Sequence, residues 1–298
     1  MKKMGNYNIL SIDGGGIRGL IALMQIVEIE KMCDGKLLDH FHLISGTSTG
    51  GIIATLIADG YTAKELIDIY REHGPSIFEK KWYRKGLFRA KYDDTYFNNV
   101  ITKYCADRKM INLEADVIIP AYNISTMKVE LFKRSNKFMD LPLRDAIRAT
   151  ASAQTYFEPW VINGEKYIDG GMAVNNPSEY CFAEAKDKVG GNMRINILSV
   201  GTGIVEKPLK GTGGMLKWAK PTVDILLAEM SQKTHELLTR YYKREEGTYL
   251  RCESYVKLSS GLIDDASREN IENMISDGNY SANCNRNSIK TFIESTKP

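Results

Sequence analysis

No part of the 298-residue chain approaches the run of about eighteen apolar residues that a membrane-spanning helix needs. The beginning, Met1-Lys2-Lys3-Met4-Gly5-Asn6-Tyr7, is basic, but no apolar run follows it, so no signal peptide is expected. Cysteine is scarce and scattered. Cys33, Cys105, Cys181, Cys252 and Cys284 form no C-x-x-C pair, which argues against a disulfide framework or a zinc site and for reduced thiols in the cytoplasm. Charge of either sign is nearly balanced, and a formal net charge of +3 is too small to imply a nucleic-acid partner. Internal repeats and low-complexity tracts are absent. What remains is an ordinary globular composition, 43% hydrophobic and 26% charged, in a chain long enough for one large domain or two small ones.

One stretch organises the rest. Phe41 to Ile44 reads as a short buried strand, and Gly50 to Ala58 as an apolar helix that starts at once. Between them, Gly46-Thr47-Ser48-Thr49-Gly50 fits G-x-S-x-G, the spacing of a nucleophile elbow. A strand that reverses into a helix over one residue strains that residue, so its neighbours two away must be small. Glycines at 46 and 50 meet that need and leave Ser48 at the tip, where the helix dipole favours developing negative charge. A Gly/Ser-rich connection without chemistry is the plain alternative, and the flanking strand and helix argue against it.

Upstream, Tyr7 to Ile12 reads as a first buried strand, running into Asp13-Gly14-Gly15-Gly16-Ile17-Arg18-Gly19 and a helix from Leu20 to Met32. Strand, glycine loop and helix together suit the binding of negative charge on backbone N–H groups. Gly14, Gly16 and Gly19 satisfy G-x-G-x-x-G, so a dinucleotide site competes with an oxyanion hole. The acidic residue that a dinucleotide site wants falls at Asp34, which sits in a helix end and turn rather than at a strand end. The triple glycine and Arg18 suit the oxyanion hole better, with a plain turn as the third reading.

Further helices are expected over Thr62 to His73, capped by Thr62, and over Asp93 to Cys105 and Leu143 to Ala153. Strands are expected over Ala115 to Tyr122 and Lys128 to Phe132. Trp160 to Ile162 and Glu165 to Ile168 form a hairpin about Asn163-Gly164. Asn176-Pro177 opens a helix that runs to Lys188, Asn196 to Val200 is another buried strand, and an amphipathic helix spans Val223 to Tyr242. Strands alternating with helices predict a mainly parallel sheet covered on both faces. Lys80 to Lys91 stands apart: six basic residues, no acidic one and three interleaved aromatics, leaving −3 for the rest of the chain. A solvated loop, a face toward anionic lipid and a stacking surface for single-stranded nucleic acid compete there, with no nucleic-acid motif to support the third.

A serine nucleophile needs a base. Asp169 ends the second strand of the hairpin and precedes Gly170-Gly171, where a carboxylate would be presented at the sheet's edge. Hydrogen bonding to the next turn is the alternative role for such an Asp. Of the four histidines, His40, His42, His73 and His235, only His235 fits the order Ser…Asp…His. It falls off the stripe formed by Val223, Leu226, Leu227, Met230, Leu237, Leu238 and Tyr241, and is expected at the surface. A Ser–Asp dyad remains, provided that burial raises the Asp169 pKa from about 3.9 toward neutrality.

The ordered set Asp13-Gly14-Gly15-Gly16-Ile17-Arg18-Gly19, Gly46-Thr47-Ser48-Thr49-Gly50-Gly51 and Asp169-Gly170-Gly171 with Asn176-Pro177 resembles the motifs of the patatin-like phospholipases. The resemblance spans residues 7–203, taken as a catalytic domain. Residues 204–298 match no motif and are expected to form a mainly helical extension packed on the same domain. The resemblance implies a three-layer α/β/α sandwich and lipid acyl hydrolysis by a Ser48–Asp169 dyad, without metal or other cofactor. Gly14, Gly15, Gly16 and Arg18 would form the oxyanion hole, and Gly19, Gly46, Gly50, Gly170 and Gly171 would be motif glycines. The expected substrate is a phospholipid or other acyl lipid, reached by peripheral membrane contact, with Trp82, Arg84, Lys85, Phe88 and Arg89 as candidate membrane-facing residues. The competing readings are a triad esterase using His235 and a non-catalytic nucleotide- or lipid-binding module. The sequence leaves the oligomeric state open.

Overall fold

The computed structural model describes residues 4–33, 37–80, 89–205 and 215–297. The chain runs β1 (Gly5–Ile12), α1 (Gly19–Met32), α2 (Leu37–His40), β2 (Leu43–Gly46), α3 (Thr49–Ala58), α4 (Ala63–Ile77) and α5 (Asp94–Cys105). It continues through β3 (Asp116–Asn123), β4 (Lys128–Phe132), α6 (Leu143–Thr150), β5 (Trp160–Ile162), β6 (Glu165–Asp169) and α7 (Ser178–Val189). The last part holds β7 (Met193–Val200), α8 (Met215–Tyr241), β8 (Tyr249–Cys252) and α9 (Arg268–Ser295). The strands form one sheet in the order β5-β6-β3-β2-β1-β7-β8, with β4 branching from β3.

Alternation along the strands builds three layers. Tyr7 and Ile9 of β1, with Ile195 and Ile197 of β7, pack under α7 and α8 beside Phe182 and Leu238. Leu10, Ile12, Leu198 and Val200 point the other way, into the larger core shared with α1, α3, α4, α6 and α9. Local signals set most helix starts. Thr62 and Glu65 form a capping box at α4, through Glu65 N to Thr62 Oγ1 (3.3 Å) and Thr62 N to Glu65 Oε2 (2.8 Å). Asp93 caps α5 by accepting from Thr95 N at 3.0 Å. The β5–β6 hairpin turns on Asn163 and Gly164 at φ 50° and 83°, the left-handed pair that an Asn-Gly turn supplies.

Several boundaries differ from expectation. The sheet is parallel through β3-β2-β1-β7-β8, but the β3–β4 and β5–β6 pairs are antiparallel, because a hairpin is too short to cross over, and β6 also runs antiparallel to β3. β2 starts at Leu43, since the amide of Phe41 closes the preceding turn on Leu37 O; Phe41 is core all the same. α6 ends at Thr150 and α7 starts at Ser178, whose amide Asn176 Oδ1 still accepts at 3.0 Å. α8 begins eight residues before Val223, and its predicted stripe matches its buried face only in part. Leu226, Leu237 and Tyr241 are exposed, whereas Ser231 and Thr234 are buried beside Leu238. Residues 204–298 also extend the sheet, through β8 on β7, and lay α9 along α1, where a Cβ on Gly278 would press on Met24.

Candidate active site

β2 ends at Gly46 and α3 begins at Thr49, so Ser48 carries the reversal with φ 55° and ψ −122°. A left-handed serine in this connection is strained and is held from several sides. Its amide donates to Thr150 Oγ1 at 3.0 Å, and Thr47 Oγ1 donates to Val174 O at 2.7 Å. A Cβ on Gly46 would collide with Gly50 O, and one on Gly50 with Ile12 O, so both elbow glycines are required by close backbone approach.

Asp169 ends β6 with its side chain buried, and its Oδ1 accepts from Gly171 N at 2.7 Å. Burial raises its pKa to about 6, against the opposing pull of the Ser48 hydroxyl and the Gly171 amide. Ser48 and Asp169 are thus brought together from residues 121 positions apart, at one end of a cavity of about 120 Å³ that both line. The remaining wall is almost wholly apolar. Ile52 and Leu56 of α3 face Ile69 and Ile77 of α4 and Val100 and Ile101 of α5. Val223 and Leu227 of α8 and Ile263 complete the lining.

The glycine loop divides its roles. Gly14 N donates to Asn175 O at 3.1 Å, so this amide is turned away from bound substrate, contrary to the expectation for all three glycines. Gly15 and Gly16 line the cavity, and their amides donate to no acceptor among the described residues. Gly16 has φ +59°, and a Cβ there would strike Ile263 O; Thr202 Oγ1 fixes the loop by donating to Gly14 O at 2.6 Å. Arg18 does not line the cavity. Its Nη1 donates to Gly261 O at 3.4 Å, which removes it from the oxyanion-hole set. Burial lowers its pKa, with Asp224 and Asp13 opposing. Gly19 packs on Thr49, Gly170 on Pro120 O, and Gly171 on Leu227.

None of the four histidines lines the cavity. His40 meets Thr296, His42 accepts from Asn8 N, and His73 lies between Tyr96 and Tyr104. His235 is half-buried rather than exposed, with Nδ1 3.2 Å from the Tyr249 hydroxyl on β8. Sequence reasoning missed Asn175, Thr202 and Arg251. The last reaches Asp13 from β8, and no local motif marks it. Of the membrane candidates, Trp82, Arg84, Lys85 and Phe88 lie outside the described residues, and Arg89 is exposed. Among the described residues, no three or more acidic, His or Cys side chains are grouped to hold a metal ion, and no helix is long and apolar enough to cross a membrane. Asp34, the residue a dinucleotide site would need, also lies outside the described residues.

A family model described as patatin-like phospholipase matches residues 10–182. Patatin-16 of Solanum tuberosum is 30% identical, over 89% of this chain and 80% of that protein. Probable inactive patatin-3-Kuras 1 of the same plant is 28% identical, over 88% and 83%. Among solved structures, human GIVD cytosolic phospholipase A2 in complex with methyl gamma-linolenyl fluorophosphonate superposes with a TM-score of 0.51 at 12% identity. That alignment covers 98% of this chain and 59% of the human one, and shows a shared fold.

Proposed function

This chain belongs to the patatin-like phospholipase family of carboxylic ester hydrolases, and we propose that it cleaves acyl lipids through a Ser48–Asp169 dyad. One observation carries the reading: a strained elbow serine adjoins a buried carboxylate of pKa about 6 at the end of an apolar cavity. A related plant protein is named as inactive at similar identity, so kinship alone does not carry the dyad.

The chemistry follows from the placement. Asp169, mostly ionised at neutral pH, takes the Ser48 proton as Oγ attacks the ester carbonyl carbon. The developing oxyanion is held by the Gly15 and Gly16 amides; removing one such donor typically costs ~2.7–4 kcal/mol of transition-state stabilisation. Asp169 then protonates the departing alkoxide, and the acyl group stays on Ser48. Water repeats the sequence in reverse, giving its proton to Asp169 and releasing the fatty acid. The acyl chain lies along α3: from Ser48 to Leu56, at 1.5 Å per residue, the wall runs ~12 Å, room for roughly ten extended carbons.

Peripheral contact with a bilayer fits the same placement. Phe78, just before the basic segment, lines the cavity, as does Tyr156. At the far end of the segment, Lys91 N donates to Thr155 O and the next residue, Tyr92, donates its N–H to Tyr156 O, at 2.9 and 3.0 Å. Lys91 also pairs with Asp264, next to the cavity residue Ile263. Both ends of the basic segment are therefore tied beside the cavity, and cations there would meet anionic headgroups.

The test is a lipidic fluorophosphonate followed by peptide mapping, with mixed lipid extracts as substrates in parallel. The expected results are a covalent adduct on Ser48 and release of fatty acids with lysolipids. An unlabelled Ser48 with no released fatty acid contradicts the reading.

A further inference from the structure

Resting on that reading of Ser48 and Asp169, we propose that Asn175 is a further catalytic residue: its side-chain oxygen holds the water that hydrolyses the acyl-enzyme. Asn175 is 4% exposed and lines the cavity with Ser48 and Asp169. Its amide orientation is fixed by chemistry. Nδ2 lies 3.2 Å from Leu227 O and 2.9 Å from Ser231 Oγ on α8, and a carbonyl oxygen can only accept. The nitrogen must therefore face α8, which leaves Oδ1 on the loop side.

That oxygen is buried and has no hydrogen-bond partner among the described residues. A buried acceptor without a donor is costly, and its retention at a cavity wall points to a donor that arrives during the reaction. Two glycines let this oxygen sit where it does. A Cβ on Gly14 would collide with Oδ1, and the position of a Gly171 Cβ is 2.8 Å from Leu227 Cδ2, 3.1 Å from Oδ1 and 3.0 Å from Asp169 Oδ1. The two oxygens are consequently no more than 6.1 Å apart, across a residue with no side chain to stand between them. One water donates two hydrogen bonds, and the two acceptors accommodate one each.

In the deacylation step the water places one hydrogen on Asn175 Oδ1 and the other on the Asp169 carboxylate. Its oxygen then bonds the acyl carbon, and its proton passes to Asp169. Collapse of the tetrahedral intermediate breaks the bond from carbon to Ser48 Oγ, and Asp169 returns the proton to Oγ. Water takes no part in the bond changes when Ser48 itself attacks, so Asn175 serves the second half-reaction alone.

The prediction is read with a medium-chain p-nitrophenyl ester in a rapid-mixing instrument, with intact-mass detection of acyl-Ser48. Asn175→Ala should leave the p-nitrophenol burst within about threefold of the parent and slow the steady state tenfold to a hundredfold, the worth of one hydrogen bond to a reacting group. Acyl-enzyme should accumulate, and added methanol should recover a larger share of the product as methyl ester. Ser231→Ala removes the α8 partner of Nδ2 and keeps Oδ1, so it should show no accumulation. Asn175→Leu keeps the bulk of the side chain while removing Oδ1 and should repeat the Asn175→Ala signature, which decides the matter where Asn175→Ala does not fold. Equal loss of burst and steady state, no change in either, or accumulation in Ser231→Ala as well would overturn the proposal. A parent protein that never acylates Ser48 would overturn the dyad reading instead.

Discussion

The guanidinium of Arg251 in β8 grips the carboxylate of Asp13 with two parallel hydrogen bonds, Nη1 to Oδ1 at 2.8 Å and Nη2 to Oδ2 at 2.7 Å. Both side chains are buried, and Arg251 also donates to Ser199 Oγ and Glu253 Oε1, at 2.9 Å each. Burial opposes the charge on Arg251, but Asp13 and Glu253 outweigh it and raise its pKa. Asp13 immediately precedes the glycine loop, so a residue 238 positions away holds the backbone from which the proposed oxyanion donors project.

Arg251→Met should therefore be costly. Breaking a buried pair leaves an uncompensated charge and typically costs about 3–5 kcal/mol. Asp13→Asn combined with Arg251→Met should recover much of that stability, because neither charge is then left alone. Turnover should stay depressed in the double variant, since the bidentate grip on the loop is gone. Chemical denaturation and ester kinetics on the parent and the two variants measure the two effects separately.

We propose that residues 204–298 complete the catalytic unit. A protein ending at residue 203 loses β8 from the edge of β7, α9 from the face of α1, and the Arg251 clamp. It should be recovered unfolded or aggregated, as judged by circular dichroism and gel filtration. A folded, active 1–203 fragment would show that the segment is dispensable.

The pH dependence follows from Asp169. Its pKa, raised by burial to about 6, makes kcat/KM for a neutral ester rise with pH through that value and level off above it. The stability effect has the opposite sign. A carboxyl whose folded pKa lies above its unfolded value favours folding at low pH, and this contribution is lost between about pH 4 and 6. Asp169→Asn should thus abolish turnover and raise stability at pH 8, by ~1–3 kcal/mol from the size of the shift. Denaturant titrations at pH 4.5 and pH 8 check the sign.

Vesicle hydrolysis tests the basic segment. Changing Arg84, Lys85 and Arg89 together to Glu should sharply reduce cleavage of anionic vesicles and leave a small dispersed ester almost unaffected. Added salt should reproduce the loss in the parent protein. Equal losses on both substrates would mean that the segment supports the pocket.

Much of the fold was legible because its signals are local. The capping box at Thr62 and Glu65, the Asn163-Gly164 turn and the glycines around Ser48 each need only their sequence neighbours. What escaped depends on distant partners. The stripe on α8 holds for Leu238 and for Val223 and Leu227, which line the cavity, and fails elsewhere: the inward face also meets Asn175 and the sheet, so Ser231 and Thr234 are buried while Leu226 and Leu237 are not. Gly14 looks like its two neighbours until Asn175 O claims its amide. Arg251 belongs to no motif, and only the pairing of β8 with β7 brings it to Asp13.

The most direct test of the account compares three variants on the phospholipid that the lipid-extract screen identifies. Fatty-acid release is followed by mass spectrometry, and folding is verified by thermal melts. Ser48→Ala and Asp169→Asn should each lose activity to background, whereas His235→Gln, which loosens contacts with Tyr249 and Thr239 away from the cavity, should retain nearly all of it. A loss in His235→Gln as deep as that in Asp169→Asn, with all three proteins folded, would contradict the dyad and require a histidine in the reaction.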